Sequence, residues 1–565
     1  MHHHLSLRSK LIIMLSVMAS LLLVALDQTI IATALSKIVE DFNAYDSLSW
    51  IVTAYLLTTT VTVPIAGKLS DLFGRKIMLL IGVAIFGLGS LFSGISGDVN
   101  QLILARAFQG IGGGIITANA FTIVGDLFAA RERGRWQGLI GAVFGISSVI
   151  GPLLGGWLTD GQHIFGATTD WRWTFFINVP VAIVAFALIT IFSPALKHAL
   201  KPKVDYIGAV LLTIALAVLV LAVDNTDTIF KGLMDNLNLS LTGLRVIMGA
   251  IVVVATGLFI LVERKAKQPI LPLRFFENAN YVKVMTIATL FGVGFMGAIL
   301  YLTQFNQQVF GASPTESGMM LLPMVAGMMT ASIGSGQIIS RIGRYKIFMQ
   351  VGIVIAAIMI ALLTLLRPET PYLFEGIVMA FVGFGLGLVM PVITLAMQNE
   401  FEQKDLGVAT SSVQLFRGLG STIGIAIFGA VLTNGLTAHL TGIQNDAFVH
   451  QLSQNPQATK RLGDLNNPNT LLNLNQPDIK QTLKNSAHAE IEKTALPAPA
   501  KSAAIKQFDT SQDDYSDKIT HAFSKSLAHI FEASAILMAL AAVVVFTVKE
   551  RELKAAPVDV TPGEA

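Results

Sequence analysis

Apolar runs alternate with short charged turns along nearly the whole chain, from about residue 11 to about residue 548. Crossing a hydrocarbon core of ~30 Å at 1.5 Å per residue takes about 20 residues of helix, and by that measure the pattern predicts roughly fourteen membrane spans. The first covers about residues 11–35. Ala32 and Ala34 imitate a leader-cleavage site, but the run is too long for a leader and further spans follow, so it stays in the chain. Trp50 opens the second span as an interfacial anchor. The third covers about 77–95, later runs fall at about 206–223, 247–262, 347–366 and 373–397, and a second half starts near Tyr281.

The pattern breaks at residues 434–512, where Asn, Gln, Asp, Lys and Pro replace the apolar runs. Ser511 and Asp514 form a candidate capping box, after which helical periodicity continues to about Lys549. That is ~50 Å of helix against a ~30 Å core, so part of it projects outward, with Ile519, Phe523, Leu527 and Ile530 on its apolar face. Either this face packs on the preceding segment, or it offers a lipid-guiding surface or a dock for a protein partner. Both readings stay open.

Composition agrees: of 565 residues, 53% are hydrophobic and only 13% charged, and the mean hydropathy is +0.65. Such a chain is an all-α, polytopic membrane protein. It has no cysteine, which excludes disulfides and thiolate metal sites. The net charge of +3 says less than its distribution. Arg8, Lys10, Lys68, Arg75, Lys76, Arg131, Arg133, Arg135, Lys197, Lys201, Lys203, Arg264, Lys265, Lys267, Arg274, Arg341, Arg344, Lys346, Lys549, Arg551 and Lys554 fall in turns on one side; Lys37, Lys231 and Arg367 fall on the other. The positive-inside rule therefore makes both termini cytoplasmic, which requires an even number of spans. Basic residues spaced between spans also exclude a nucleic-acid surface. His2, His3 and His4 read as a polar tail, with no metal expected.

The boundaries that follow are a cytoplasmic tail (1–10), a first six-helix unit (11–196), a linker with two further spans (197–280), a second six-helix unit (281–548, including the outer segment 434–527) and a second tail (549–565).

Candidate chemistry is confined to a few positions. Gly67, Lys68, Leu69, Ser70, Asp71, Leu72, Phe73, Gly74, Arg75 and Lys76 read as a tight surface loop with Asp71 and Arg75 four apart, close enough to pair. A weaker echo is Gly336, Ser340, Gly343, Arg344 and Lys346, which implies two related halves. Asp27 lies in the first span, about 24 Å up a ~30 Å core, where a carboxylate costs ~2.5–3.5 kcal/mol and needs a task. Arg106, in the fourth span, is never neutral and lies about 8 Å below the outer surface. The matching depths place both in one water-accessible outer vestibule, either as a proton-binding pair or as a fixed structural ion pair. Gln28, Gln109, Gln304 and Gln307 are candidate cavity residues, since amides hydrogen-bond varied ligands without a fixed charge; headgroup-level placement is the other reading of the last two. Arg417 reads as a lipid-phosphate or helix-end contact. Asp126, Arg131, Glu132, Arg133 and Gly134 read as a cytoplasmic loop.

These strings resemble the major facilitator superfamily, whose loop signature is G-x-L-x-D-x-x-G-R-K. Leu26 to Leu35 resembles the first-span motif of its drug/proton antiporters, and Arg106, Gln109, Gly110 and Gly112 its fourth-span R-x-x-Q-G-x-G. Gly141, Gly145, Gly151, Pro152, Gly155 and Gly156 lie on a fifth-span pattern, of which Gly151, Pro152, Gly155 and Gly156 form its G-P-x-x-G-G core; that pattern marks exporters within the family. Asp170, Trp171, Arg172, Trp173, Phe175, Ile177, Asn178 and Pro180 resemble the entry to span six of the fourteen-span branch, with the tryptophans as interface anchors. The two runs at 206–223 and 247–262 look like that branch's extra central pair.

The resemblance implies two six-helix bundles plus two central helices, rocking around a midplane cavity by alternating access, driven by the proton gradient without a cofactor. It implies that Gly67, Asp71, Gly74 and Arg75 stabilise one global state and that span five helps seal the path. The expected activity is not enzymatic but multidrug efflux of hydrophobic or lipophilic-cation compounds, in a bacterial cytoplasmic membrane. A lipid or glycolipid exporter and a non-transporting membrane sensor are the alternatives. An ATP-driven pump lacks support, because the chain has no Gly-Lys-Ser or Gly-Lys-Thr triplet.

Overall fold

The computed structural model describes residues 6–553 apart from 43–47, 160, 162, 165, 194–203, 224–225, 313, 440–442, 444–445, 455–464, 466–469, 472–473, 476 and 495–496. His2–4, Lys197, Lys201, Lys203 and Lys554 lie outside these. Fourteen helices among the described residues are long and apolar enough to span a membrane. In chain order they are α1 (Leu7–Phe42), α2 (Leu48–Phe73), α3 (Arg75–Gly94), α4 (Val99–Leu127), α5 (Ala130–Thr159), α6 (Trp173–Phe192) and α7 (Tyr206–Val223). Then follow α8 (Leu241–Glu263), α9 (Ala279–Gln308), α10 (Leu322–Ile342), α11 (Lys346–Leu363), α12 (Tyr372–Glu400), α13 (Leu406–His439) and α14 (Ala498–Thr547). A two-residue hairpin, His163–Ile164 with Ala167–Thr168, sits before α6.

Helices α1–α6 pack as one bundle and α9–α14 as another, while α7 and α8 pair with each other. Helix α7 leans on α2 and α13, at the flank where the bundles meet. With fourteen spans, the described chain starts and ends on the same side of the membrane.

The stretch from Gly67 to Lys76 is tighter than a loop. Helix α2 runs on through Phe73, α3 starts at Arg75, and Gly74 alone turns the chain, at φ 95° and ψ 147°. Only glycine adopts that backbone without a Cβ clash. Asp126 also departs from expectation: it closes the last turn of α4 and is buried, because Arg75 draws it inward. At the other end, α14 begins after Pro497, with Pro499 in the first turn where a missing N–H costs nothing, so Ser511 and Asp514 lie inside the helix and cap nothing. Its outer part packs on the segment before it. The Tyr515 hydroxyl donates to the Leu471 carbonyl at 2.8 Å, Lys518 pairs with Asp446 at 2.7 Å, and Ile519, Phe523, Leu527 and Ile530 are fully buried.

The bundles touch closely at their inner ends through small residues. Along α5, Gly134, Gly138 and Gly141 lie against Gly336 and Ser332 of α10, and a Cβ at Gly138 would run into the Ser332 carbonyl. The Ser332 hydroxyl donates to the Gly138 carbonyl at 2.9 Å. On the other flank a Cβ at Gly67 of α2 would strike Ser411 of α13. Overpacking at such a contact costs about 1–3 kcal/mol, a roughly 5- to 150-fold shift in a two-state equilibrium. Gly138→Leu should therefore favour the state with the inner ends apart. The cysteine-free chain makes this measurable: Ser411→Cys should react with a thiol probe applied from the cytoplasmic side at least several-fold faster when Gly138→Leu is present.

Candidate functional site

Two buried clusters carry the charge of the first bundle. In the outer one, Arg106 on α4 and Asp27 on α1 form an ion pair at 2.5 Å, with both residues 1% exposed or less. The matched depths of the two residues in the sequence thus correspond to direct contact. Water does not reach them here, so the pair is sealed rather than facing an open vestibule. Its surroundings explain how a bare ion pair is tolerated. Gln109 donates to Asp27 Oδ1 at 2.8 Å and to Ser90 Oγ at 2.7 Å, while its carbonyl oxygen accepts from Arg106 at 2.7 Å. Asn178 of α6 donates to Asp27 Oδ1 at 3.1 Å and to Ser90 at 3.2 Å. The guanidinium lies 4.3 Å from the Tyr55 ring centre and 5.6 Å from that of Phe175. Buried charges are stable only when paired and hydrogen-bonded, and five helices supply the partners.

This arrangement reassigns several residues. Gln109 is fully buried within the network and lines no opening; Gln28, one residue beyond Asp27, is exposed. Gln304 and Gln307 are half-buried on α9 and have no part in the cluster. Trp171 is no interfacial anchor: it is 3% exposed, packs with Ile31, Ile38, Ile51, Leu102 and Phe175, and donates its ring N–H to Asp41 at 3.1 Å. Asn178, Ser90 and Tyr55 were not predicted from sequence. Only Asn178 carried a signal, as an isolated amide at the start of an apolar run.

The inner cluster is centred on Arg75, whose Nε donates to Asp126 at 2.7 Å and which pairs with Asp71 at 2.5 Å and donates to the Ser70 hydroxyl. Asp71 then reaches across the bundles. It accepts the backbone N–H groups of Gly407 at 3.2 Å and Val408 at 3.1 Å, at the start of α13. A helix N-terminus presents unpaired N–H groups and the positive end of the dipole, so a carboxylate there is stabilised. Gly407 permits the approach, since a Cβ would meet Asp71 and Arg75. Beside this latch, Arg133 donates to the carbonyls of Phe128, Gly125 and, across the interface, Gln398. The Gln398 amide in turn donates to the Phe121 carbonyl at 2.8 Å.

In α5, Gly151 packs against Thr29 of α1, whose hydroxyl donates to the Ser147 carbonyl at 2.9 Å. Pro152 lies within the helix, Gly155 is buried and Gly156 half-buried. The glycines of α5 thus serve two contacts, Gly141 and Gly145 towards α10 and Gly151 towards α1. The downstream echo has no acid where Asp71 stands, and Arg344 is exposed; there Glu550 of the C-terminal tail accepts the backbone N–H groups of Tyr345 and Lys346. Arg417 contradicts its sequence reading: about 16 Å along α13 from Leu406, its guanidinium faces the rings of Phe121 at 6.0 Å and Phe144 at 5.9 Å in the other bundle, not a lipid phosphate.

Two helical bundles closed against each other at one end, with buried ion pairs in the first, define a membrane transporter. The family profile described as Major Facilitator Superfamily matches residues 17–425, and the chain belongs to that family. It is 36% identical over 470 residues to the multidrug transporter protein MdtP of Bacillus subtilis, covering 81% of this chain and 82% of that one. To multidrug resistance protein 3 of the same organism it is 34% identical over 437 residues, covering 77% and 81%. Among solved structures, the human organic anion transporter MFSD10 shares the fold with a TM-score of 0.56 at 16% identity, covering 74% of this chain and 93% of that one. The proton:xylose symporter XylE does so at 0.53 and 16%, covering 76% and 90%. The chain is thus an integral membrane protein whose family and relatives are transporters.

Removing one partner of a buried ion pair costs about 3–5 kcal/mol, because the other charge is left uncompensated. Arg106→Ala, which strands Asp27, and Asp27→Asn, which strands a guanidinium that cannot lose its proton, should each lower the melting temperature of the detergent-solubilised protein by several degrees, and Asp27→Ala, which also removes the acceptor of Gln109 and Asn178, should lower it further than Asp27→Asn.

Proposed function

We propose that this protein is a proton-coupled antiporter that exports hydrophobic compounds from a bacterial cell by alternating access. The observation that carries the reading is the sealed Asp27–Arg106 pair in a bundle whose inner end is latched to its partner. As a carboxylate, Asp27 accepts from Arg106, Gln109 and Asn178. Protonation removes the charge that holds the guanidinium and turns one acceptor oxygen into a donor, so the cluster must rearrange. Five of the six helices of the bundle meet there, and a rearrangement at that junction can bias the rocking of the whole unit. The names of the Bacillus relatives support efflux of multiple drugs, and their source supports a bacterial cytoplasmic membrane.

Export of an acidic lipid is the second reading, favoured by Arg417. A fixed positive charge facing Phe121 and Phe144 at the bundle interface repels permanent cations and suits an acidic amphiphile, which sets it against the lipophilic-cation part of the cargo expectation.

Proteoliposomes with an imposed pH difference test the coupling. Entry of a fluorescent hydrophobic dye into the lumen should alkalinise it in step with transport, and Asp27→Asn should sharply lower gradient-driven accumulation while leaving dye-for-dye exchange. Full accumulation by Asp27→Asn overturns proton coupling through this residue. Labelled acidic lipids in the same vesicles separate the two cargo readings.

A further inference from the structure

The second bundle carries a buried acid that the family motifs pass over. Glu375 lies three residues into α12 and is fully buried, about 5 Å from the helix start. Its partner is Asn306 on α9, also fully buried, whose side-chain amide lies 2.8 Å from one carboxylate oxygen and 3.2 Å from the other. By order in the chain, α9 and α12 are the first and fourth helices of their bundle, as α1 and α4 are of theirs. The same helix pair is thus bridged in both halves, once by an ion pair and once by an acid and an amide.

No described cation compensates Glu375. The structure surrounds its carboxylate with packed protein and the Asn306 amide. Tyr372, one turn back, donates its hydroxyl to the Met320 carbonyl, and Arg367 in the preceding turn donates to the carbonyls of Thr364 and Leu366. Of the helices packed on α12, α9 carries Tyr281 and Lys283 at its inner end, where Lys283 donates to the Thr547 carbonyl, and Tyr301 further out, and α13 carries Arg417 near the midplane. Helices α5, α10 and α11 hold their charged residues (Arg131, Glu132, Arg133, Arg135, Arg341 and Lys346) at their inner ends. An ionised carboxylate removed from water with one neutral donor is poorly compensated, whereas a protonated carboxyl needs only an acceptor. An Asn amide offers both: its nitrogen donates to a carboxylate, and after a half-turn its oxygen accepts the O–H of a carboxylic acid.

We propose that Glu375 is a second proton-binding site, distinct from Asp27, and that the Asn306 amide turns over as the proton binds and leaves. The inference rests on the proton-coupled reading above and extends it to the second bundle. A proton taken from water at the outer side adds to one Glu375 oxygen, the Asn306 nitrogen swings away, and its oxygen takes the new hydrogen bond. Return of the proton to water reverses the turn. Each bundle then holds one titrating carboxyl between its first and fourth helices, with Arg106 as partner in one and a neutral amide in the other.

Infrared difference spectra of the purified protein on lowering the pH should show a deuterium-sensitive protonated-carboxyl C=O band that Glu375→Gln removes, Glu375→Asp restores and Asp27→Asn leaves in place. Glu375→Gln matches the glutamate in volume and can still pair with Asn306, so an unchanged melting temperature serves as the folding control. In proteoliposomes Glu375→Gln should remove one proton per transported molecule, lowering steady-state accumulation about tenfold for each unit of pH difference. Survival in Glu375→Gln of the band that Asp27→Asn leaves in place, or an unchanged proton count, overturns the proposal. If at the same time Asp27→Asn abolishes coupling, the antiport reading stands without it; if both variants remain fully coupled, both fall.

Discussion

A guanidinium inside hydrocarbon must have a counter-charge at hand, and that requirement organises the first bundle. Arg106 and Arg75 are each 1% exposed, one near either end of the bundle. Arg106 gathers α1, α2, α3, α4 and α6 around the Asp27 carboxylate, and Arg75 gathers α2, α3 and α4 around Asp71 and Asp126. The packing between these ends is carried by glycines that let backbones approach, as in other membrane helices. The ion pairs set which faces meet, and the glycines set how closely.

The two clusters differ in what lies beyond them. The outer one is closed within its own bundle. Asp71 of the inner one is shared between Arg75 and the first turn of α13, so parting the inner ends separates a carboxylate from two N–H donors and exposes both to water. The latch is strong when dry and weak when wet, the property a two-state interface needs. The second bundle shows no equivalent among the described residues. Its corresponding turn is held by the C-terminal tail through Glu550, which leaves the two halves related in shape but not in charge.

Helix number, the pairing of Asp27 with Arg106 and the Asp71–Arg75 contact were legible in the sequence, because each follows from length, depth or local spacing. What could not be read was any partner contributed by a distant helix. Asp126 looked like part of a loop because it follows an apolar run and precedes a basic one; only the location of Arg75 shows why it turns inward. Trp171 has the composition of an interfacial residue and the location of a core residue. Gln109 shares its residue type with Gln304 and Gln307, yet the first is consumed by an ion pair and the others are not. Arg417 and Glu375 are single charged residues in apolar strings, and their significance depends on which rings or amides another helix brings within reach.

Helix α14 is about 75 Å long, of which roughly 30 Å can be submerged. The remaining ~45 Å is stiffened by the segment folded against it and continuous with a spanning helix of the second bundle. A tilt of about 10° in that bundle would swing the far tip by about 8 Å, given a rise of 1.5 Å per residue. The projecting mast thus converts a small tilt of the second bundle into a displacement of several ångströms at its tip.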